Sequence, residues 1–135
     1  MEQYNAIYPG KPWYDTNGKR IQAHGGSMLC VGGKFYWYGE NKEKTFDYDG
    51  IWHWGVRLYS SVDLYNWQDE GIICLPQPQD AQSPLYPRSK MDRPHILYNA
   101  VTEKYVLWMK IMGPNNVQYM VVAQADRIQG PFELV

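Results

Sequence analysis

Little in this 135-residue sequence can staple it or hold a metal. It has two cysteines and three histidines. Cys30 and Cys74 each sit in an apolar run, Met28-Leu29-Cys30-Val31 and Ile72-Ile73-Cys74-Leu75. Both read as buried thiols, and without a neighbouring His pair they make a poor zinc site. No metal and no cofactor is expected. Long apolar runs are missing too, so nothing approaches a membrane-spanning helix. Residues 1–14 are polar and aromatic, unlike a secretory leader. The chain is expected to be cytoplasmic, or secreted if an export signal has been removed, with no membrane partner. Charge of one sign is also missing: the formal net charge is -1 and the basic residues form no block. A reader of nucleic-acid backbone carries a basic excess, so no nucleic-acid partner is expected. Helical periodicity is absent, apart from a short turn expected at 64–66.

Aromatic residues are what the chain has in quantity. Six Trp, twelve Tyr and three Phe make up 16% of it. Such side chains fill β-rich cores, and they also suit sugars, whose pyranose rings stack an apolar face on them. The apolar pattern is short throughout. Segments 28–31, 34–38, 56–60, 95–98, 104–109 and 118–123 read as strands. Turn signals separate them at Gly32-Gly33, Asp49-Gly50, 99–103 and Gly113-Pro114-Asn115-Asn116. The stretch 75–88 holds four prolines and reads as a long irregular connection.

The pattern then repeats. Residues 27–38 and 95–108 both read strand, turn, Lys, aromatic, strand. Residues 58–67 and 121–132 both read strand, small residues, Asp, short turn, aromatic. The offsets are 70 from Lys34 to Lys104 and 63 from Asp63 to Asp126. A four-strand unit of that length is the mark of a β-propeller blade; two similar meanders of a β-sandwich are the alternative. The expected fold is all-β, with blade one over about 20–75 and blade two over about 90–135. Two blades cannot close a ring, so further blades or a second chain are expected to complete it.

In a propeller the inner strand of each blade lines the central channel. Ile21-Gln22-Ala23-His24-Gly25-Gly26 approaches the first inner strand and Met91-Asp92-Arg93-Pro94-His95 the second. Polar groups at the mouth of an apolar strand are where a ligand is met. His24 is followed by two glycines, which permit close approach. Asp92 and Arg93 form either a plain ion pair or a carboxylate held ionised beside substrate. Glu40 ends an aromatic strand, either binding sugar hydroxyls or solvated. Trp52 and Trp54 lie in a rim segment, as sugar platforms or as packing. Gln22 and Tyr119 complete the candidate substrate-binding set of Gln22, His24, Glu40, Trp52, Arg93 and Tyr119, with Asp92 as candidate catalytic carboxylate.

Several stretches together resemble glycoside hydrolase family 43, five-bladed propellers that cleave with inversion, and above all the exo-β-1,3-galactanase branch. They are Trp13-Tyr14-Asp15-Thr16-Asn17-Gly18, Gln22-Ala23-His24-Gly25-Gly26, Tyr36-Trp37-Tyr38-Gly39-Glu40-Asn41-Lys42, Asp63-Leu64-Tyr65-Asn66-Trp67 and Asp92-Arg93-Pro94. The resemblance implies that Glu40 and Asp92 line a sugar pocket, Asp92 tuning a neighbouring acid. Asp92-Arg93-Pro94 stands where the branch carries Glu-Arg-Pro, which retracts the carboxylate by one methylene. Most of the family places a general-base Asp on the first inner strand. Residues 22–26 have none, a lack shared with the galactanase branch. The family's general acid is a Glu on the third blade, beyond residue 135. The implied function is removal of terminal galactose from β-1,3-galactan, with little activity in these residues alone. A non-catalytic sugar-binding propeller, a β-xylosidase or α-L-arabinofuranosidase, and a split or decayed gene product are the alternatives.

Overall fold

The computed structural model describes residues 3–113 and 115–135. Pro114 of the expected 113–116 turn lies outside the described residues. Eight strands form two four-stranded antiparallel sheets. The first holds β1 (His24–Val31), β2 (Lys34–Glu40), β3 (Val56–Ser61) and β4 (Gln68–Cys74). The second holds β5 (Lys90–Asn99), β6 (Lys104–Met112), β7 (Gln118–Ala125) and β8 (Glu133–Leu134). Neighbours in each sheet are consecutive in sequence, so each sheet is a meander, as a propeller blade is. Among the described residues there is no helix, and none long and apolar enough to cross a membrane. Segment 75–88 has no regular structure, as its prolines imply.

The inner strands β1 and β5 lie against each other. One core fills the space between the blades. Tyr36, Tyr38, Val56 and Leu58 point into it from blade one, and Leu107, Met109, Ile111 and Ala123 from blade two. Alternation along the strands puts these residues on facing sides. Backbone groups of blade two also bond across the seam. Ile96 N–H donates to the Tyr38 hydroxyl at 2.9 Å and Phe132 N–H to the Ile73 carbonyl at 2.8 Å. Burial pushes the Tyr38 phenol above its ordinary range, so it serves as a neutral acceptor.

The other face of blade one carries Trp37, packed edge-on against Trp67 and tilted against Trp13, with ring centroids 5.3 and 5.1 Å away. Trp13 belongs to the N-terminal strap. The outer face of blade two has no such cover among the described residues. Leu97, Trp108 and Met120 are 51%, 41% and 58% exposed there.

Three sequence expectations need correction. The inner strands start earlier than apolar runs suggest, at His24 and Lys90, because each continues through a bulge. Cys30 is exposed rather than buried. It lies opposite Phe35, on the alternate face from Leu29, which packs on the core. Cys74 is buried, and burial pushes its thiol up to about 12. The third concerns β7. Its register pairs Trp108 with Val122, while Tyr38 pairs with Leu58. Leu58 therefore corresponds to Val122, not Val121, and blade two is one residue shorter before Asp126.

Candidate functional site

Both inner strands kink at the same place. β1 pairs His24 with Glu40 and resumes at Ser27↔Tyr38, leaving Gly25-Gly26 as a bulge. β5 pairs Asp92 with Lys110 and resumes at His95↔Trp108, leaving Arg93-Pro94. Gly25 and Arg93 both have positive φ, 60° and 53°. For glycine this is free; for arginine it stores strain, which collects at functional sites. A hydrogen bond helps hold it: Arg93 N–H donates to Glu40 Oε1 at 3.2 Å. The acid ending β2 of blade one thus caps the bulge of blade two.

The two glycines of the first bulge make a close approach within blade one. A Cβ on Gly26 would lie 1.7 Å from the Tyr38 carbonyl oxygen, and one on Gly25 would lie 3.0 Å from Glu40 Oε1. They let the inner strand press on its own neighbour.

Glu40 is 2% exposed, so a solvated strand end is ruled out. Lys42 Nζ lies 2.7 Å from Glu40 Oε2, 2.6 Å from the Trp52 carbonyl oxygen and 4.3 Å from the centre of the Trp52 ring. Lys42 N–H also donates to Gln22 Oε1 at 3.2 Å. Lys42 is therefore the hub of the site, and the sequence reading, which quoted it only at the end of the stretch 36–42, gave it no role. Its spacing two residues beyond Glu40 was the available signal.

Trp52 is partly buried, and its indole N–H donates to the Met91 carbonyl at 2.7 Å. It braces the rim segment against blade two, with Lys42 over its ring. His53 beside it is fully buried. Gly55 N–H donates to His53 Nδ1 at 3.0 Å, which leaves Nε2–H to donate to the Tyr86 carbonyl at 3.2 Å. Burial pushes its pKa down to about 4, so the ring is neutral near pH 7.

Asp92 does not pair with Arg93. Its Oδ2 lies 3.3 Å from Lys110 Nζ, on the adjacent strand. Successive residues of a strand point apart, whereas cross-strand partners point together. The Arg93 side chain is exposed. Tyr119 lies on β7 opposite Ile111, two strands out from Asp92, and is not brought to Glu40. A groove of about 490 Å³ runs along the inner end of blade one. Gln22, His24, Lys42, Trp13, Trp37 and Arg20 are among its lining residues. Among the described residues no three His, Cys, Asp or Glu side chains cluster as a metal site would need.

A groove lined by Gln22, His24, Lys42 and two tryptophans thus lies beside a buried carboxylate that the Lys42 ammonium holds. Ion-paired carboxylates accept hydrogen bonds strongly, and hydroxyl groups supply them.

No family model and no curated protein matches the chain. Solved structures do. An exo-β-1,3-galactanase from Phanerochaete chrysosporium with galactose has a TM-score of 0.84 and 32% identity, over 96% of this chain and 29% of that one. A family 43 β-1,3-galactosidase with galactodeoxynojirimycin has a TM-score of 0.81 and 35% identity, over 96% of this chain and 37% of that one. The chain belongs to glycoside hydrolase family 43. An exo-β-1,3-galactanase from Clostridium thermocellum, at 34% identity and TM-score 0.76, is matched over 96% of this family 43 chain and 26% of its own. The chain thus spans between 26% and 37% of the length of these relatives. A thermostable family-43 glycoside hydrolase at 14% identity and TM-score 0.56 shares the fold alone.

Proposed function

We propose that this chain supplies the sugar-pocket part of a glycoside hydrolase that removes terminal galactose from β-1,3-galactan with inversion. The observation that carries the reading is the Glu40 cluster: a buried carboxylate fixed by Lys42 and by the Arg93 backbone, beside Gln22 and His24 at the mouth of the inner strand. Three similar solved structures are described as exo-β-1,3-galactanases or a β-1,3-galactosidase, which favours galactose over xylose or arabinose. In this reading Glu40 and Gln22 hold sugar hydroxyls, and Asp92 with Lys110 sets the charge nearby. An inverting enzyme also needs a general acid for the leaving oxygen and a base for water. Those roles are assigned to further blades, or to a second chain, covering the outer face of blade two.

A second reading is a non-catalytic sugar-binding propeller. The ion pairs at both Glu40 and Asp92 favour it, because they suit these groups to binding hydroxyls rather than to donating protons. Both readings give the 135-residue chain affinity for galactose without turnover of β-1,3-galactotriose. Isothermal titration and a sugar-release assay check this. Galactose should bind, Glu40→Gln should abolish binding, and no galactose should be released. Binding of xylose or arabinose in preference to galactose would overturn the substrate assignment. Turnover would overturn the assignment of the acid to other blades.

A further inference from the structure

The carboxylates of the site stand on different sheets. Glu40 ends β2 and Asp92 lies near the start of β5, and among the described residues no strand pairing joins the two blades. Apolar packing across the seam holds the sheets together without direction, whereas a pocket needs its groups fixed to a fraction of an ångström. Directional bonds at the mouth supply that, and they form a closed circuit. Arg93 N–H donates to Glu40 Oε1 at 3.2 Å. Lys42 Nζ stands 2.7 Å from Glu40 Oε2 and donates to the Trp52 carbonyl at 2.6 Å. The Trp52 indole N–H donates to the Met91 carbonyl at 2.7 Å. Met91 adjoins Asp92 and lies two residues before Arg93, so the chain itself closes the circuit. Trp52 is anchored further. Its backbone N–H donates to the Pro87 carbonyl at 2.8 Å, and its own carbonyl also accepts from the Thr45 hydroxyl at 3.0 Å. Its ring packs against the buried core, with Lys42 Nζ 4.3 Å and Lys90 Nζ 5.9 Å from its centre. A ring held by cations and core is built as a fixture rather than as an open platform.

We propose that Trp52 is a positioning residue of the sugar pocket: bonded to Lys42 on one side and to Met91 on the other, it sets Asp92 and the Arg93 backbone of blade two in place against Glu40 of blade one. The backbone of Arg93 fits this role. Its φ of 53° is strained for arginine, and such strain persists only where the surroundings over-determine it. The bonds at Met91 and at Arg93 hold the chain on both sides of Asp92. Ile96, which donates to the Tyr38 hydroxyl, lies beyond the Arg93-Pro94 bulge, so that bond fixes the strand but not its mouth end. The inference rests on the galactan reading and adds to it the residue that registers one blade's binding groups on the other's.

The test compares the 135-residue chain with its Trp52→Phe, Lys42→Met and Lys42→Arg variants, by calorimetry with galactose and by amide hydrogen exchange. Trp52→Phe keeps a ring against the core and loses the bond to Met91. It should weaken galactose binding about tenfold, the worth of one directional bond. Exchange at Arg93 should quicken about tenfold, while Ile96 keeps its wild-type rate because its bond to Tyr38 does not depend on the brace. Lys42→Met should weaken galactose binding more, since Glu40 also loses its counter-ion. Adding Trp52→Phe to it should change little, because members of one circuit do not act additively. Lys42→Arg should keep most of the affinity. Unaltered Arg93 exchange in Trp52→Phe overturns the proposal; if galactose affinity falls all the same, Trp52 is a sugar platform instead. Equal quickening at Arg93 and Ile96, the mark of a general loss of stability, overturns it too, as does full additivity of the two substitutions. If the wild-type chain binds no galactose, the galactan reading falls, and the contrast between Arg93 and Ile96 still decides the brace.

Discussion

Blade one and blade two share a plan and differ in what covers them. Each begins its second strand with a lysine, Lys34 or Lys104, and each inner strand carries a two-residue bulge. Through the strand registers His24 corresponds to Asp92, Glu40 to Lys110, Tyr38 to Trp108 and Val56 to Met120. Tyr38 and Val56 are 0% exposed, because blade two lies on them. Trp108 and Met120, in the same places one blade on, are 41% and 58% exposed. The residue types match their positions rather than their exposure. Aromatic and aliphatic side chains stand on the forward face of both blades. That face is built for packing in each blade, and the difference between the two lies in their neighbours. The polar end differs in kind. Blade one ends its second strand in an acid that reaches across the seam, and blade two carries at the matching register position a lysine, Lys110, that turns to Asp92.

The sharpest way to break the comparison is to truncate corresponding side chains. Tyr38→Ala should cost about 3–5 kcal/mol, since it empties a buried aromatic site and orphans the Ile96 N–H. Trp108→Ala should cost about 1 kcal/mol or less, because much of its surface is already in water. Urea unfolding of the 135-residue chain measures both. Equal costs would mean that something covers the forward face of blade two in solution.

The second contrast is in the rims. Blade one joins β2 to β3 through residues 41–55, which carry Lys42, Trp52 and His53, whereas blade two uses the short turn at 113–117. His53 gives the first rim a pH signature. Its folded pKa lies near 4, below the unfolded value of 6.5, because burial disfavours the charged ring and Lys42 adds to this. The unfolded chain binds the extra proton first as pH falls. The stability that His53 confers is therefore intact above pH 6.5, is lost progressively between 6.5 and about 4, and is gone below. The full loss amounts to roughly 3 kcal/mol. Unfolding free energies at pH 7, 5.5 and 4.5 should fall in that order. In His53→Gln much of the slope should disappear. An unchanged slope would place the titrating group elsewhere.

The blade plan was legible because strands announce themselves by short apolar runs between turn signals, and the Lys and Asp of each unit recur at fixed offsets. The site was legible in part. Glu40, His24, Gln22 and the Asp92-Arg93 pair were found at strand mouths, and the structure gathers Glu40, Gln22 and the Arg93 backbone around Lys42. What escaped has physical causes. The inner strands were started at their apolar runs, past Gly25-Gly26 and Arg93-Pro94, although a bulge lets a strand pass through such residues. A plain ion pair with Arg93 was one of two readings of Asp92, but pleating sends neighbours to opposite faces and brings Lys110 opposite. The one-residue difference before Asp126 was invisible, because both alignments keep small and apolar residues in step. Yet such a slip exchanges every inward and outward side chain. Cys30 failed for the same reason: an apolar run four residues long does not say which face each member takes. Lys42 was quoted only as part of the family resemblance and given no role, because its ammonium meets Glu40 only once the chain turns back after β2.

The smallest contrast is between Asp63 and Asp126, the repeat's own matched pair. Both carboxylates have pKa values below the ordinary range, for different reasons. Asp63 Oδ1 accepts from the Tyr65 and Asn66 backbone N–H groups, each at 2.8 Å, and from the Ser61 hydroxyl, while Oδ2 accepts from Asn66 Nδ2. Backbone donors from Asn66 lead the effect. They close the turn in which Leu64 adopts φ 67°. Asp126 is fully exposed, and its shift comes from the Lys104 ammonium. Exposed ion pairs are screened by salt, while local side-chain-to-backbone bonds are not. Asp63→Ala should therefore lower the melting temperature at low and high salt alike. Asp126→Ala should lower it slightly at low salt and leave it unchanged in 0.5 M sodium chloride. A salt-sensitive loss at Asp63 would show that its turn is held by charge rather than by the backbone. A salt-independent loss at Asp126 would show that this exposed pair fixes the second turn as Asp63 fixes the first.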